Sequence, residues 1–186
     1  MSRLWWLPLA FLVAVRLHNA TAYPPSAGYD SYAHGLYVLT VAQDRLPYPN
    51  EGWAMYHGPL YYVASAKLAG LVGWTTRTGY LEAARWVSTL ASLGTLLLAF
   101  LTARRLDPRL AWASVTLLAM LPADLIVAPM VYNMELGFFF LSLFLWLLLR
   151  AWSGPPRLAS ELALGLSAGL ALLTRPEGIL TVGMLG

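Results

Sequence analysis

Six apolar runs without a charged residue, at positions 4–15, 59–66, 86–103, 110–123, 136–149 and 162–174, constrain this chain more than any other feature. A helix needs about 20 mostly apolar residues to cross a bilayer, and only helices or closed barrels satisfy their backbone there. The composition agrees: 59% of the residues are hydrophobic and 11% are charged, against roughly 25% charged in an ordinary soluble domain. The expected class is an all-α polytopic membrane protein. A net charge of +3 without a basic stripe gives no nucleic-acid signal. The lack of cysteine excludes disulfides and thiolate chemistry and says nothing of location.

Charge placement sets the topology. Arg3 precedes the first run, while Arg16 and His18 follow it. The first helix is therefore expected to run outward, with Arg16 snorkelling to the far interface. A cleaved signal peptide ending near Ala20-Thr21-Ala22 is the alternative, though Arg16 and His18 fit that pattern poorly. Residues 59–74 decide the rest. They reach only about 24 Å as a helix against a core of about 30 Å, and they carry Lys67, so a helix lying in the interface is expected. Residues 86–103 then run inward and deliver Arg104, Arg105 and Arg109 to the cytoplasm, where Arg150 and Arg157 also fall. A span over 59–74 would instead move all five arginines outside.

The next helix is expected to run outward from Leu110 through Pro122, Asp124 and Pro129 to a turn at Tyr132-Asn133-Met134-Glu135. A fourth span from Leu136 must include Glu135 to be long enough, which sets that carboxylate just below the outer surface, against protein or a wet cavity. A fifth rises from Leu158 toward Arg175, with Gly165, Ala168, Gly169 and Ala171 as a close-packing face.

The one long polar stretch is residues 28–62, rich in aromatic residues, within a first outer loop of about 19–85. Pro24-Pro25 ends the first helix, and Asp30 or Ser31 can cap a helix over 31–46 whose Leu36, Leu39 and Val41 rest on the membrane surface. Under this topology Asp30 and Glu135 reach one membrane face, and Arg175 approaches it from below. They supply a carboxylate able to accept a proton, a second carboxylate for positioning and a guanidinium suited to a phosphate. The plain alternatives are that Asp30 is an ordinary helix cap, that Arg175, Lys67 and Arg85 anchor to lipid, and that Asp124 is a structural acid or rivals Glu135 as the second acid. His34 and His57 lack the spacing of a metal motif.

In order and spacing these residues resemble the GT-C membrane glycosyltransferases, which include lipid A aminoarabinose transferase and the protein O-mannosyltransferases. The resemblance rests on Tyr29-Asp30-Ser31-Tyr32, on His57-Gly58-Pro59-Leu60-Tyr61-Tyr62, on the helix from Arg85 to Arg104-Arg105, on Tyr132-Asn133-Met134-Glu135 and on Leu173-Thr174-Arg175-Pro176-Glu177-Gly178. It covers essentially the whole chain and corresponds to the N-terminal part of such enzymes, a single transmembrane domain over 1–186 with about five transmembrane helices and interfacial helices in the first outer loop.

The resemblance implies transfer of a sugar from a polyprenyl-phosphate carrier to a lipid, glycan or protein acceptor on the non-cytoplasmic side of a plasma (inner) membrane. Asp30 is implied as base and Glu135 as the second acid. Arg175, His57, Lys67 and Arg85 are implied for the phosphate, with Tyr61 in the substrate-binding set. No cofactor besides the lipid-linked donor is implied, and a divalent metal stays open. Asp30-Ser31 departs from the Asp-Glu of protein O-mannosyltransferases, and Gly58 stands where the usual element has its first proline. A transporter, a non-catalytic assembly subunit and an exported protein are the other readings of the same residues.

Overall fold

The computed structural model describes residues 6–152, 154–155, 157–176 and 183, and among these it is helical with no strand. Among the described residues eight α-helices follow one another: α1 Trp6–Ala22, α2 Ser31–Val41, α3 Leu60–Leu71, α4 Arg77–Leu106, α5 Ala111–Ala119, α6 Pro122–Val127, α7 Met134–Trp152 and α8 Leu158–Thr174. A short 3-10 turn, Trp53–Tyr56, lies between α2 and α3.

The central element is α4, which touches α1, α2, α3, α5 and α7. Thr76 caps its start by accepting from the Gly79 N–H at 3.1 Å, and Arg104 and Arg105 stand in its last turn, where cations suit the helix dipole. Its buried residues are Arg85, Leu96, Leu98 and the small Ala83, Ala84, Ser88, Thr89, Ala91 and Ser92. Small side chains of this kind let neighbouring backbones approach closely, as membrane helices require. At 30 residues α4 exceeds a bilayer core, and α4 and α7 are long and apolar enough to cross a membrane.

With 12 residues, about 18 Å, α3 is too short to span. Tyr61, Tyr62, Ser65 and Ala69 bury one side of it, while Leu71, Val72 and Trp74 stay exposed around its end. That division matches a helix lying on the membrane surface.

Several expectations are corrected. Arg16 does not snorkel outward; it is fully buried inside the bundle, since a partner carboxylate and carbonyls solvate a guanidinium better than a distant interface does. Nor is the segment from Leu110 one helix. It breaks after α5, and Pro122, which has no N–H to donate, opens α6 instead. The helix α2 ends at Val41, and Leu36 and Val41 pack on the Tyr37, Tyr61 and Tyr62 core rather than resting on the membrane. On α8 the buried positions are Ser167, Ala171 and Thr174; of the expected small-residue face Ala171 is buried, while no described residue lies within 4 Å of where a side chain at Gly165 or Gly169 would stand.

Two cores result. One joins α2, α3 and α4 through Tyr37, Val38, Tyr61, Tyr62 and Ala84, with Val131 closing it. The other joins α1, α4 and α5 through Leu12, Leu96, Val115 and Ala119. The first fastens the polar loop onto the end of the bundle where α7 begins and α8 finishes.

Candidate active site

Three segments distant in sequence meet at that end. Gly58 approaches α8 so closely that a Cβ there would lie 2.2 Å from the Leu173 carbonyl oxygen. Asn133, in the turn before α7, donates from Nδ2 to the Thr174 carbonyl at 3.0 Å. Arg175, just past the end of α8, runs along the start of α7, where Gly137 leaves room: a Cβ on Gly137 would meet the Arg175 Cδ at 3.3 Å. The Arg175 guanidinium carbon stands 5.6 Å from the centre of the Tyr132 ring, a cation–π approach that fixes its direction.

The loop side of the site is a box of aromatic and imidazole rings. His34 of α2 stacks on His57 at 5.5 Å and meets Tyr132 edge-on at 4.7 Å. Its Nδ1 lies 2.7 Å from the Tyr62 hydroxyl, and its Nε2 has no partner among the described residues. Burial, then the charges of His57 and Arg175, push the His34 pKa down to about 3. The ring is therefore neutral at physiological pH and serves as a hydrogen-bonding wall. Burial likewise raises the Tyr62 phenol, which stays protonated.

Asp30 sits immediately before α2, exposed, in the left-handed region at φ 53°. Aspartate tolerates that region better than most residues. Its carbonyl accepts from the His34 N–H at 3.1 Å, whereas its side chain forms no capping bond. The backbone of Asp30 is thus tied to the first turn of α2, while its exposed carboxylate is not consumed as a cap. Gly28, two residues earlier, packs against Met130, so the start of α2 adjoins the segment leading into the Tyr132–Glu135 turn.

Glu135 lies in the first turn of α7, 2% exposed, with its Oε2 unpartnered among the described residues. It lines a largely apolar cavity of about 510 Å³ together with Asp124, Ser92 and Phe138. Asp124 is in a different situation. Its carboxylate takes the Arg16 guanidinium, which also donates to the Ser92 hydroxyl at 3.3 Å and the Ala119 carbonyl at 3.2 Å. The Arg16 charge reaches Glu135 as well. Of the two acids, Asp124 is neutralised in a structural tie, while Glu135 keeps an oxygen available for a hydrogen-bond donor.

The remaining sequence candidates are placed unequally. His57 is 4% exposed, inside the ring box, and its carbonyl accepts from the Tyr37 hydroxyl at 3.4 Å. Tyr61 is fully enclosed, its hydroxyl donating to the Ala84 carbonyl at 2.9 Å and lying 3.0 Å from the Ser88 Oγ, so it knits α3 to α4. Arg85 is buried between the Tyr23 carbonyl and the Glu82 carboxylate, where it ties the end of α1 to α4. Lys67 is exposed and lines a separate cavity with Asp44 and Arg45. Glu177 and Gly178 of the resemblance lie outside the described residues.

Sequence reasoning missed Arg16 as a member of the carboxylate network, and Asn133 and Tyr132 as the groups that fasten Arg175. Arg16 did carry a signal: an ionisable residue in an apolar helix needs a partner inside the protein. Asn133 carried none beyond its place in the turn.

Residues 76–185, more than half of the chain, match the family model described as dolichyl-phosphate-mannose-protein mannosyltransferase. The match starts at the Thr76 cap of α4 and takes in Glu135 and Arg175, but not Asp30 or His57. No curated protein and no solved structure matches the chain. The matched family transfers glycosyl groups, which sets the transporter and assembly-subunit readings aside. With two helices able to cross a membrane and this match over its larger part, the chain belongs to the dolichyl-phosphate-mannose-protein mannosyltransferase family of GT-C membrane glycosyltransferases.

Proposed function

We propose that the protein moves a sugar from a polyprenyl-phosphate donor to an acceptor on the non-cytoplasmic side of the plasma (inner) membrane. The side is inferred from the arginines: Arg104, Arg105, Arg109, Arg150 and Arg157 all belong to the end opposite the candidate site, as the positive-inside rule favours for a cytoplasmic end. The observation that carries the reading is the meeting of the His57-Gly58 corner, the Tyr132–Glu135 turn and Arg175 at one end of the bundle, in a member of a lipid-phosphate-sugar family.

The chemistry needs little else. The acceptor oxygen or nitrogen attacks the anomeric carbon, and its proton passes to the Asp30 carboxylate. The bond from that carbon to the phosphate oxygen breaks, and the electron pair leaves with the polyprenyl phosphate. A base within hydrogen-bond reach contributes about 10²–10⁴-fold to such a step. Arg175, held by the Tyr132 ring and against Gly137, neutralises the growing phosphate charge. Glu135 accepts a hydrogen bond from the acceptor and orients it. The donor arrives already activated, so the reading asks for no additional cofactor. The acceptor is a lipid, a glycan or a protein, and about five helices cross the bilayer, with α5 and α6 together forming the broken one.

Membranes carrying wild-type protein or Asp30→Asn, supplied with a polyprenyl-phosphate sugar, test the assignment. Transfer should fall at least about 100-fold in the variant. Transfer at the wild-type rate would remove Asp30 from the role of base. Chelation of divalent metal in the same assay should leave wild-type transfer intact.

A further inference from the structure

At the opposite end of the bundle a cavity of about 450 Å³ gathers three arginines from three elements. Arg105 comes from the last turn of α4, Arg150 from the last turn of α7, and Arg157 from the position that caps α8. No acidic residue lines this cavity, and none of the three arginines has an ion-pair partner among the described residues. The Arg150 guanidinium lies 4.8 Å from the centre of the Trp146 ring, which limits its directions. Leu147, Ala151 and Ala163 make the deeper wall apolar.

The positive-inside rule explains why arginines collect on one side, but not why three of them share one cavity. Arg104 and Arg109 obey the same rule and line no part of it. The three guanidinium groups are exposed, and three like charges around one hollow draw an anion to it rather than a cation or a neutral group. The planar, forked donors of arginine match phosphate oxygens, and a charged rim over an apolar wall at the end of membrane helices matches the junction of headgroup and acyl chain.

We propose that this cavity binds the phosphate of an anionic membrane lipid, at a site separate from the one that transfers sugar. The lipid phosphate bridges the ends of α4, α7 and α8, and its acyl region rests on Leu147 and Ala163.

Native mass spectrometry of the purified protein, released from micelles with equal amounts of phosphatidylglycerol and phosphatidylcholine, tests this. The wild type should retain phosphatidylglycerol preferentially. Each of Arg105→Gln, Arg150→Gln and Arg157→Gln should lower that preference about fivefold, and the three together about 100-fold, as expected for roughly 1 kcal/mol per basic residue near a membrane surface. The pair Arg104→Gln and Arg109→Gln should leave the preference unchanged. The single variants keep the test decisive if the triple variant does not insert. Equal retention of the two lipids by wild type, or undiminished preference in the single variants, overturns the proposal. Stabilisation by inorganic phosphate without any lipid preference would refute the lipid as the source of the phosphate.

Discussion

Gly58→Ala is a severe test of how the candidate site is assembled. The added Cβ would stand 2.2 Å from the Leu173 carbonyl oxygen, 2.4 Å from its carbon and 3.0 Å from its Cα. All three are backbone atoms, so no side chain can swing aside, and the corner and the end of α8 must part by about 1 Å to reach ordinary contact near 3.5 Å. Overpacking of this kind costs about 1–3 kcal/mol, and for a chain of this size each kcal/mol lowers the melting temperature by about 2–4 °C. The same movement carries Arg175, two residues beyond Leu173, away from the turn that holds it, and a 1 Å misplacement can cost about 100-fold in rate.

Gly165→Ala is the matched control on α8, where no described residue lies within 4 Å of the added carbon and the helix gains about 1 kcal/mol of intrinsic preference. Melting in detergent, followed by tryptophan fluorescence, should therefore order the proteins with Gly165→Ala at or above wild type and Gly58→Ala below both. If Gly58→Ala melts within about 1 °C of wild type and transfers sugar normally, the contact between the corner and α8 does not build the site.

Two further outcomes follow from the buried charges. The unfolded chain protonates His34 near its ordinary pKa of 6.5 and the folded chain only near about 3, so between those values the unfolded state holds more protons. Stability should be whole above pH 6.5 and decline by up to about 1.4 kcal/mol per unit as pH falls through that window. His34→Gln should flatten this slope in denaturation curves, and an unchanged slope would point to another group. Arg16→Met alone should destabilise by about 3–5 kcal/mol by stranding Asp124, while Arg16→Met with Asp124→Leu should recover most of that loss. A loss in the double variant equal to the sum of the Arg16→Met and Asp124→Leu losses would show that the pair is not coupled.

The apolar runs made the helical class legible, because a charge-free run of that length has few other fates. Charge asymmetry favoured an interfacial 59–74, and the structure gives that stretch a helix of 12 residues; the turn before Glu135 was readable from the length the next helix needs. What escaped were features set by partners rather than by local pattern. The break at Pro122 could be suspected from proline, but its use, presenting Asp124 to Arg16, depends on a helix 108 residues away. Leu36 and Val41 looked suited to a membrane surface because an amphipathic stretch does not say whether lipid or Tyr61 and Tyr62 will cover it. Gly58 looked like a loss of stiffness beside the proline expected there, and only the approach of Leu173 explains why a side chain is excluded. Pro176 and Gly178, which interrupt the chain just past Arg175, ranked Arg175 above Lys67 and Arg85 for phosphate, whereas the ties of Arg85 to Tyr23 and Glu82 depend on neighbours the sequence does not show.

The tie between Arg16 and Asp124 also bears on how the protein is made. Arg16 is made with α1 long before its partner exists, and 108 residues must still be synthesised before Asp124 emerges. At about 5–20 residues per second that interval lasts roughly 5–20 s. Throughout it α1 carries an uncompensated arginine, unfavourable by about 3 kcal/mol near mid-membrane. In the topology proposed above, the first helix is therefore only a provisional occupant of the bilayer. It becomes permanent only when the broken helix behind it brings the carboxylate.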